Sequence, residues 1–428
     1  MMKKFVQKRL ERAVKKYFKK HPEVKLVVVT GSVGKTSTKR ALATLLSQRY
    51  RVQMENNNHN TEMSAPLGIL GIEYPIDTVR SVGAWMAVFK AARKRIKDPT
   101  GVDVIIQELG SEHPGEIAEF AKYLKPDIAV ITGVTPEHME FFGTLEAVAQ
   151  EELLAANFSQ LAVINRDDIA GEYATYVTNT NLTTYGSSSA AEYRFEETNF
   201  SLEDGYSGQI IAPELAEPLA VTEIHVVGEH SLRPIMGAVA VSLKLGVSPE
   251  DIQKGLQAIR PMPGRMNPLK GIDSTIVIDD SYNSSPAAAS AALQALYALQ
   301  VPQRIALIGS MNELGMSSPD EHRKLGELCD PGLLSWVVTV GDEAEKHLAP
   351  AARARGCQVK SFKSAIDAGA FVRSVTEPGA VILVKGSQGN IYTEEAVKVL
   401  CLMSEDVELV RQEPHWIKIK DEFFSKFQ

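Results

Sequence analysis

Lys35 and Thr36 follow Gly34 in the stretch Thr30-Gly31-Ser32-Val33-Gly34-Lys35-Thr36-Ser37. Those residue types in that order suit the binding of a phosphate chain. A glycine-rich turn lets backbone N–H groups close on an anion, a lysine adds charge against the β- and γ-phosphates, and the next hydroxyl can ligate Mg²⁺. Such chemistry needs a strand before the turn and a helix after it. Val27-Val28-Val29 reads as a buried strand, and the run from Lys39 to Leu46 has helical spacing. The usual pattern G-x-x-x-x-G-K-[ST] meets Val29 at its first glycine, so the strict match fails by one residue. The competing reading is a tight strand–helix turn with an incidental lysine. The order of strand, Gly-Lys-Thr and helix predicts a nucleoside-triphosphate site in which Gly31, Ser32, Val33, Gly34, Lys35, Thr36 and Ser37 line the phosphates.

Two more apolar runs, 102–106 and 127–132, read as strands leading to Glu108 and to Glu137-His138. Ligands of open parallel sheets bind outside the carboxyl ends of the strands. Lys35/Thr36, Glu108 and His138 are therefore expected to converge on a nucleotide–Mg²⁺ site. Residues 55–62 hold four asparagines in five positions, which suits a loop. That loop could grip a polar substrate or be a plain turn. Beyond it, 161–168 continues the strand pattern, 185–225 is less regular and reads as antiparallel, and 235–245 and 248–259 read as helices. The Pro/Gly-rich stretch 260–265 marks a domain boundary. A second βα alternation follows, with strands at 275–279, 304–309, 336–341 and 380–385 and helices near 287–299, 319–329, 343–355 and 365–375. The fold class is α/β: a P-loop-containing ATP-binding domain at 24–260, then a Rossmann-like domain at 261–428. No G-x-G-x-x-G occurs in the second domain, so no dinucleotide is expected.

Composition bounds the class. The chain has 428 residues, a 44% hydrophobic and 23% charged content, and a net charge of −7, which argues against general nucleic-acid binding. Nine of the 46 Lys/Arg but only one of the 53 Asp/Glu fall in residues 1–20, so the rest of the chain is near −15. Within 1–23, Phe5, Val6, Leu10, Ala13, Val14, Tyr17 and Phe18 recur at helical spacing. This basic amphipathic helix either packs its apolar stripe on the following domain with lysines in water, or meets an anionic membrane or an acidic partner. Residues 85–97 have the same character. Cys329, Cys357 and Cys401 stand far apart, which fits a reducing cytoplasm without disulfides or a cysteine zinc site. No stretch is apolar and long enough for a membrane span, and the N-terminus lacks a signal-peptide core.

Several motifs taken together resemble the Mur ligase family of ATP-dependent amide ligases. These are Thr30–Ser37, Asn58-His59-Asn60-Thr61-Glu62, Glu108-Leu109-Gly110, Glu137-His138, Pro263-Gly264-Arg265-Met266, Asp279-Asp280-Ser281-Tyr282-Asn283, Met311-Asn312-Glu313-Leu314-Gly315 and Val384-Lys385-Gly386-Ser387. The Asp-Asp-Ser-Tyr-Asn and Lys-Gly-Ser stretches look most like the branch that adds D-alanyl-D-alanine to a cell-wall precursor peptide. The resemblance implies ATP and Mg²⁺ as cofactors and an acyl-phosphate intermediate. It also implies roles: Lys35 cradles phosphates, Thr36 and Glu108 hold one Mg²⁺, and His138 helps hold a second. Arg265, Asp280 and Asn283 hold the nucleotide from the second domain. Asn58, Asn60, Thr61, Glu62, Asn312, Glu313 and Lys385 face the substrates.

The chain departs from the family pattern in places. Glu152 stands where members carry a lysine, often carbamylated, and is expected to offer its own carboxylate to the metal, to leave the second metal site inactive, or, with Glu151, to be a solvated helix charge. Ser310 stands where an acidic residue is common. About 23 residues precede the first strand, where members usually have a UDP-binding domain of roughly one hundred residues, so the usual UDP grip is expected to be missing. The acceptor is then expected to lack UDP, or to be lipid-linked and approached through the basic helix. A folate or poly-glutamate ligase and a non-catalytic nucleotide-binding regulator stand as alternatives, and the oligomeric state is left open.

Overall fold

The computed structural model describes residues 2–55, 59–75, 81–98, 101–404 and 407–427. Two sheets organise the chain. The first has nine strands: β1 (Lys25–Thr30), β2 (Val52–Met54), β3 (Val104–Glu108), β4 (Ile128–Ile131), β5 (Leu161–Asn165), β6 (Leu182–Gly186), β7 (Tyr193–Ser201), β8 (Gly205–Ile211) and β9 (Leu219–Ile224), in the order β2-β3-β1-β4-β5-β6-β7-β8-β9. Every pairing from β2 to β7 is parallel, whereas β7–β8 and β8–β9 are antiparallel. β1 is unbroken Leu-Val-Val-Val because both of its faces are covered. Val27 and Val29 pack with Leu42 and Leu45 of the following helix, while Leu26 and Val28 face the opposite core with Tyr17 and Ile69.

The second sheet comprises β10 (Asn267–Lys270), β11 (Ile276–Asp280), β12 (Arg304–Gly309), β13 (Trp336–Val340), β14 (Val359–Phe362) and β15 (Val381–Lys385), ordered β10-β11-β15-β12-β13-β14. It is parallel except at β10, which pairs antiparallel with β11 at the edge. β10 carries Pro268, tolerable at an edge, and is short, so strand patterning does not reveal it. The helix expected over 343–355 is interrupted: a π-turn at Ala344–Leu348 leads into an α-helix at Ala349–Ala354.

Four helices matter for the site: α1 (Met2–Lys20), α2 (Lys35–Leu46), α3 (Ala65–Leu70) and α4 (Val82–Lys97). The apolar stripe of α1 packs on the first sheet's helical layer. Val6 and Leu10 meet Met63, Leu67, Trp85 and Val88, and Val14 and Tyr17 join the core that contains Ala92. Burying each such side chain is worth about 1.5–3 kcal/mol as an upper bound, enough to hold α1 in place.

Candidate active site

β1 ends at Thr30, and the chain turns at Gly31 (φ 128°) before Gly34 (φ 80°) opens α2. Both angles lie where side chains are strained. Gly31 also has no room: a Cβ there would collide with the Thr132 hydroxyl and sit 2.8 Å from Gly133 N. The order β3-β1-β4 sets Glu108, the last residue of β3, and the segment after β4 on either side of this turn. Thr36 Oγ1 donates to Glu108 Oε2 at 3.2 Å, Asn60 Nδ2 donates to Glu108 Oε1 at 3.3 Å, and Lys39 Nζ lies 3.4 Å from Oε2. Lys35 Nζ donates to the carbonyls of Gly31 and Ser32 and lies 3.7 Å from Glu137 Oε2. Burial works against its charge, but the carboxylates of Glu137, Glu152 and Glu108 outweigh that and raise its pKa.

A cleft of about 1000 Å³ runs between the two sheets, with Lys35, Thr36, Glu108 and His138 on one wall and Arg265, Asp280, Asn283 and Glu313 on the other. Ser32, Val33, Gly34, Ser37, Asn60, Thr61, Glu62 and Lys385 also line it. On the second wall, Gly264 (φ 69°) donates its N–H to Asp279 Oδ2 at 2.9 Å, and the Arg265 guanidinium lies 4.3 Å over the Tyr282 ring. His138 Nδ1 meets Glu313 Oε2 across the cleft at 2.9 Å. That bond raises the histidine's pKa and lowers the carboxylate's, against the cost of partial burial.

Several residues stand differently from expectation. Glu152 does not line the cleft. Its Oε2 accepts from Gly31 N at 2.8 Å and from the Thr30 hydroxyl, so the carboxylate braces the start of the turn from behind. Neither it nor Glu151 is solvated: Glu152 is 4% exposed and Glu151 7%. Glu151 accepts from Gly115 N and Ile117 N at 2.7 and 2.6 Å, tying down the start of the helix Glu116–Ala121. Lys385 lines the cleft but is buried on Asp280, Nζ to Oδ2 2.6 Å, with a further bond of 3.1 Å to the Asn283 carbonyl. Asn312 also lies off the cleft lining, its amide on the carbonyls of Gln388 and Gly389 at 2.6 and 3.0 Å. Thr61 pairs its hydroxyl with Ser64 Oγ ahead of α3, and Glu62 accepts from Gln7 of α1. Asn58 lies outside the described residues.

Sequence reading overlooked two groups. Lys39 could have been found, since it falls one turn after Lys35 on the same helix. Arg411 could not: it donates to the Ser281 and Tyr282 carbonyls at 2.6 and 2.9 Å and is paired with buried Glu394, and no pattern links positions 130 residues apart.

The donor set around Glu108 fits Mg²⁺, which takes hard oxygen ligands, uses few from the protein and completes its shell with phosphates and water. A hydroxyl and a carboxylate 3.2 Å apart on a cleft wall supply that. Among the described residues no three His, Cys, Asp or Glu converge as a metal cage; His138 lines the cleft with its Nδ1 on Glu313.

Comparison with known proteins agrees with this geometry. A model of the Mur ligase middle domain matches residues 29–242, and one of the Mur ligase, glutamate ligase domain matches 264–388. The chain is 26% identical over 388 residues to the UDP-N-acetylmuramoyl-tripeptide–D-alanyl-D-alanine ligase of Bacillus subtilis, covering 88% of this chain and 76% of that one. It is 29% identical over 395 residues to that of Mycobacterium tuberculosis H37Rv, covering 85% and 70%. Among solved structures, MurF from Acinetobacter baumannii superposes with a TM-score of 0.74 at 24% identity, over 91% of this chain and 79% of that one. Folylpolyglutamate synthase from Mycobacterium tuberculosis, solved with ADP and AMPPCP, does so with a TM-score of 0.65 at 16% identity, over 92% and 94%; at these identities the likeness is one of fold. With both family domains matched in order along its two sheets, the chain belongs to the Mur ligase family and is an ATP- and Mg²⁺-dependent, ADP-forming ligase.

Proposed function

We propose that this ligase joins D-alanyl-D-alanine, or another amine of that kind, to the carboxylate of a cell-wall precursor peptide. The observation that supports it is the two-walled cleft: Lys35, Thr36 and Glu108 on one side face Arg265, Asp280 and Asn283 on the other. In this reading the peptide carboxylate attacks the γ-phosphorus of ATP. A carboxyl O–P bond forms, the bond to the β–γ bridging oxygen breaks, and ADP leaves. The amine then attacks the acyl carbon, a C–N bond forms, the C–O bond to phosphate breaks, and the nitrogen gives up a proton to the departing phosphate. Both steps gather negative charge, so stabilisation comes from cations already in place. Lys35 and the turn's N–H groups bind the phosphates, Arg265 adds a second cation from the opposite wall, and Lys385 holds Asp280 and the Asn283 backbone in position. Mg²⁺ held by Thr36 and Glu108 would screen the phosphate oxygens.

The reaction belongs in the cytoplasm in this reading, with residues 1–20 giving contact at the inner face of the membrane. The test is ATP-dependent phosphate release with D-alanyl-D-alanine and a UDP-linked muramoyl tripeptide, run beside a lipid-linked acceptor. Turnover with either carries the proposal and identifies the acceptor form. Turnover only with a folyl-glutamate acceptor would replace it by the folate reading, and ATP binding without turnover on any acceptor would replace it by a regulatory role.

A further inference from the structure

α1 and α4 lie side by side and run in the same direction. Val6 and Leu10 meet Trp85 and Val88 near the start of both helices, the Arg9 guanidinium stacks 4.2 Å over the Phe89 ring, and Lys20 Nζ donates to Lys97 O at 3.2 Å at their ends. Their outward faces form one ridge, with eight exposed Lys/Arg on α1 and four on α4. Glu11 is the sole carboxylate within the two helices. At the N-terminal end the ridge carries three bare apolar side chains, Phe5, Val82 and Met86, exposed by 60, 65 and 66%. The same end of α1 reaches the cleft, whose lining includes Lys3 and Gln7.

We infer that this ridge docks the protein on an anionic phospholipid bilayer, with Phe5, Val82 and Met86 entering the headgroup layer beside the mouth of the cleft. The inference rests on, and sharpens, the membrane contact in the function proposed above. Three observations carry it. Charge is complementary to anionic lipid, each Lys/Arg near such a surface adding attraction. The chain outside these two helices, near −20, is repelled by the same surface, so the field orients the ridge toward it. The apolar tip is what separates a bilayer from nucleic acid, since phosphate binding gains nothing from exposed aliphatic and aromatic carbon.

The test is sedimentation of the full chain with vesicles of phosphatidylcholine alone or mixed with phosphatidylglycerol, with duplex DNA as a competing polyanion. Binding is expected only to the mixed vesicles and should fall with salt. Lys8→Gln with Arg12→Gln should weaken it about thirtyfold, the equivalent of two lost cations. Phe5→Ser with Met86→Ser should weaken it about tenfold with every cation kept. Phosphate release with a soluble acceptor should be unchanged in both variants. Absence of vesicle binding overturns the inference, as does equal binding to DNA that the Phe5/Met86 variant leaves intact. Vesicle binding without phosphate release on any acceptor would sink the ligase substrate proposal and leave the docking surface standing; the converse would sink the docking surface alone.

Discussion

Replacing Glu152 separates two roles that its chemistry allows: brace of the phosphate-binding turn, or metal ligand. Its Oε2 takes the Gly31 N–H at 2.8 Å and the hydroxyl of fully buried Thr30. Burial raises its pKa, while Lys35 and the Thr30 bond favour its charged form. Glu152→Ala leaves both donors buried without a partner, each costing about 1–3 kcal/mol, so a loss of roughly 2–6 kcal/mol in unfolding free energy is expected. Glu152→Gln keeps a carbonyl acceptor of the same shape and removes only the charge assistance, for about 1–2 kcal/mol. That change loosens the turn that positions Lys35, so the KM for ATP should rise about fivefold. The half-saturating Mg²⁺ concentration should stay within about twofold, because losing a true metal contact would cost tenfold or more. Urea unfolding and phosphate release titrated with Mg²⁺ at saturating ATP measure both quantities. A tenfold rise in the Mg²⁺ requirement of Glu152→Gln with unchanged stability would refute the bracing role.

Gly31→Ala would force a Cβ against Thr132 and the Gly133 amide at a φ of 128°, and nucleotide affinity measured by calorimetry should drop at least tenfold. Lys385→Met strips the partner from buried Asp280 and should cost about 3–5 kcal/mol in denaturant unfolding; a loss below about 1 kcal/mol would mean the pair is solvated. Asp279 is held by burial at a pKa of about 6, above its ordinary 3.8, so the folded state binds its proton more tightly than the unfolded one. Its contribution is therefore greatest below the unfolded value and is lost as pH rises through about 6, a swing of about 3 kcal/mol. Asp279→Asn should flatten this part of the stability–pH curve, and parallel curves for the two proteins would refute the assignment.

Much of the first wall was legible because its signals are local. A β-branched run, two glycines and a Lys-Thr pair are neighbours in the chain, and β1, the turn and α2 follow from φ, ψ and periodicity alone. Glu108 was likewise predictable from strand ends, since parallel strands bring their carboxyl ends to one edge. The fate of the buried charges was not legible. Glu151 and Glu152 look like any helix-face carboxylates in sequence, and what makes one a brace for Gly31 and the other an anchor for the 115–117 backbone is the packing of their helix, Leu145–Asn157, under the sheet. Lys385 reads as a free ammonium until the β11–β15 register sets it opposite Asp280 and removes both from water.

The sequence by itself determined the alternation of elements, the phosphate-binding turn and the basic character of α1, because each depends on residues within a few positions of one another. Only the tertiary structure decided which charged groups face the cleft, that His138 meets Glu313 across it, and that the cations of α1 and α4 share one ridge. Those outcomes are set by strand register and desolvation between distant segments, where a charge is kept only if the fold supplies it with a partner or with water.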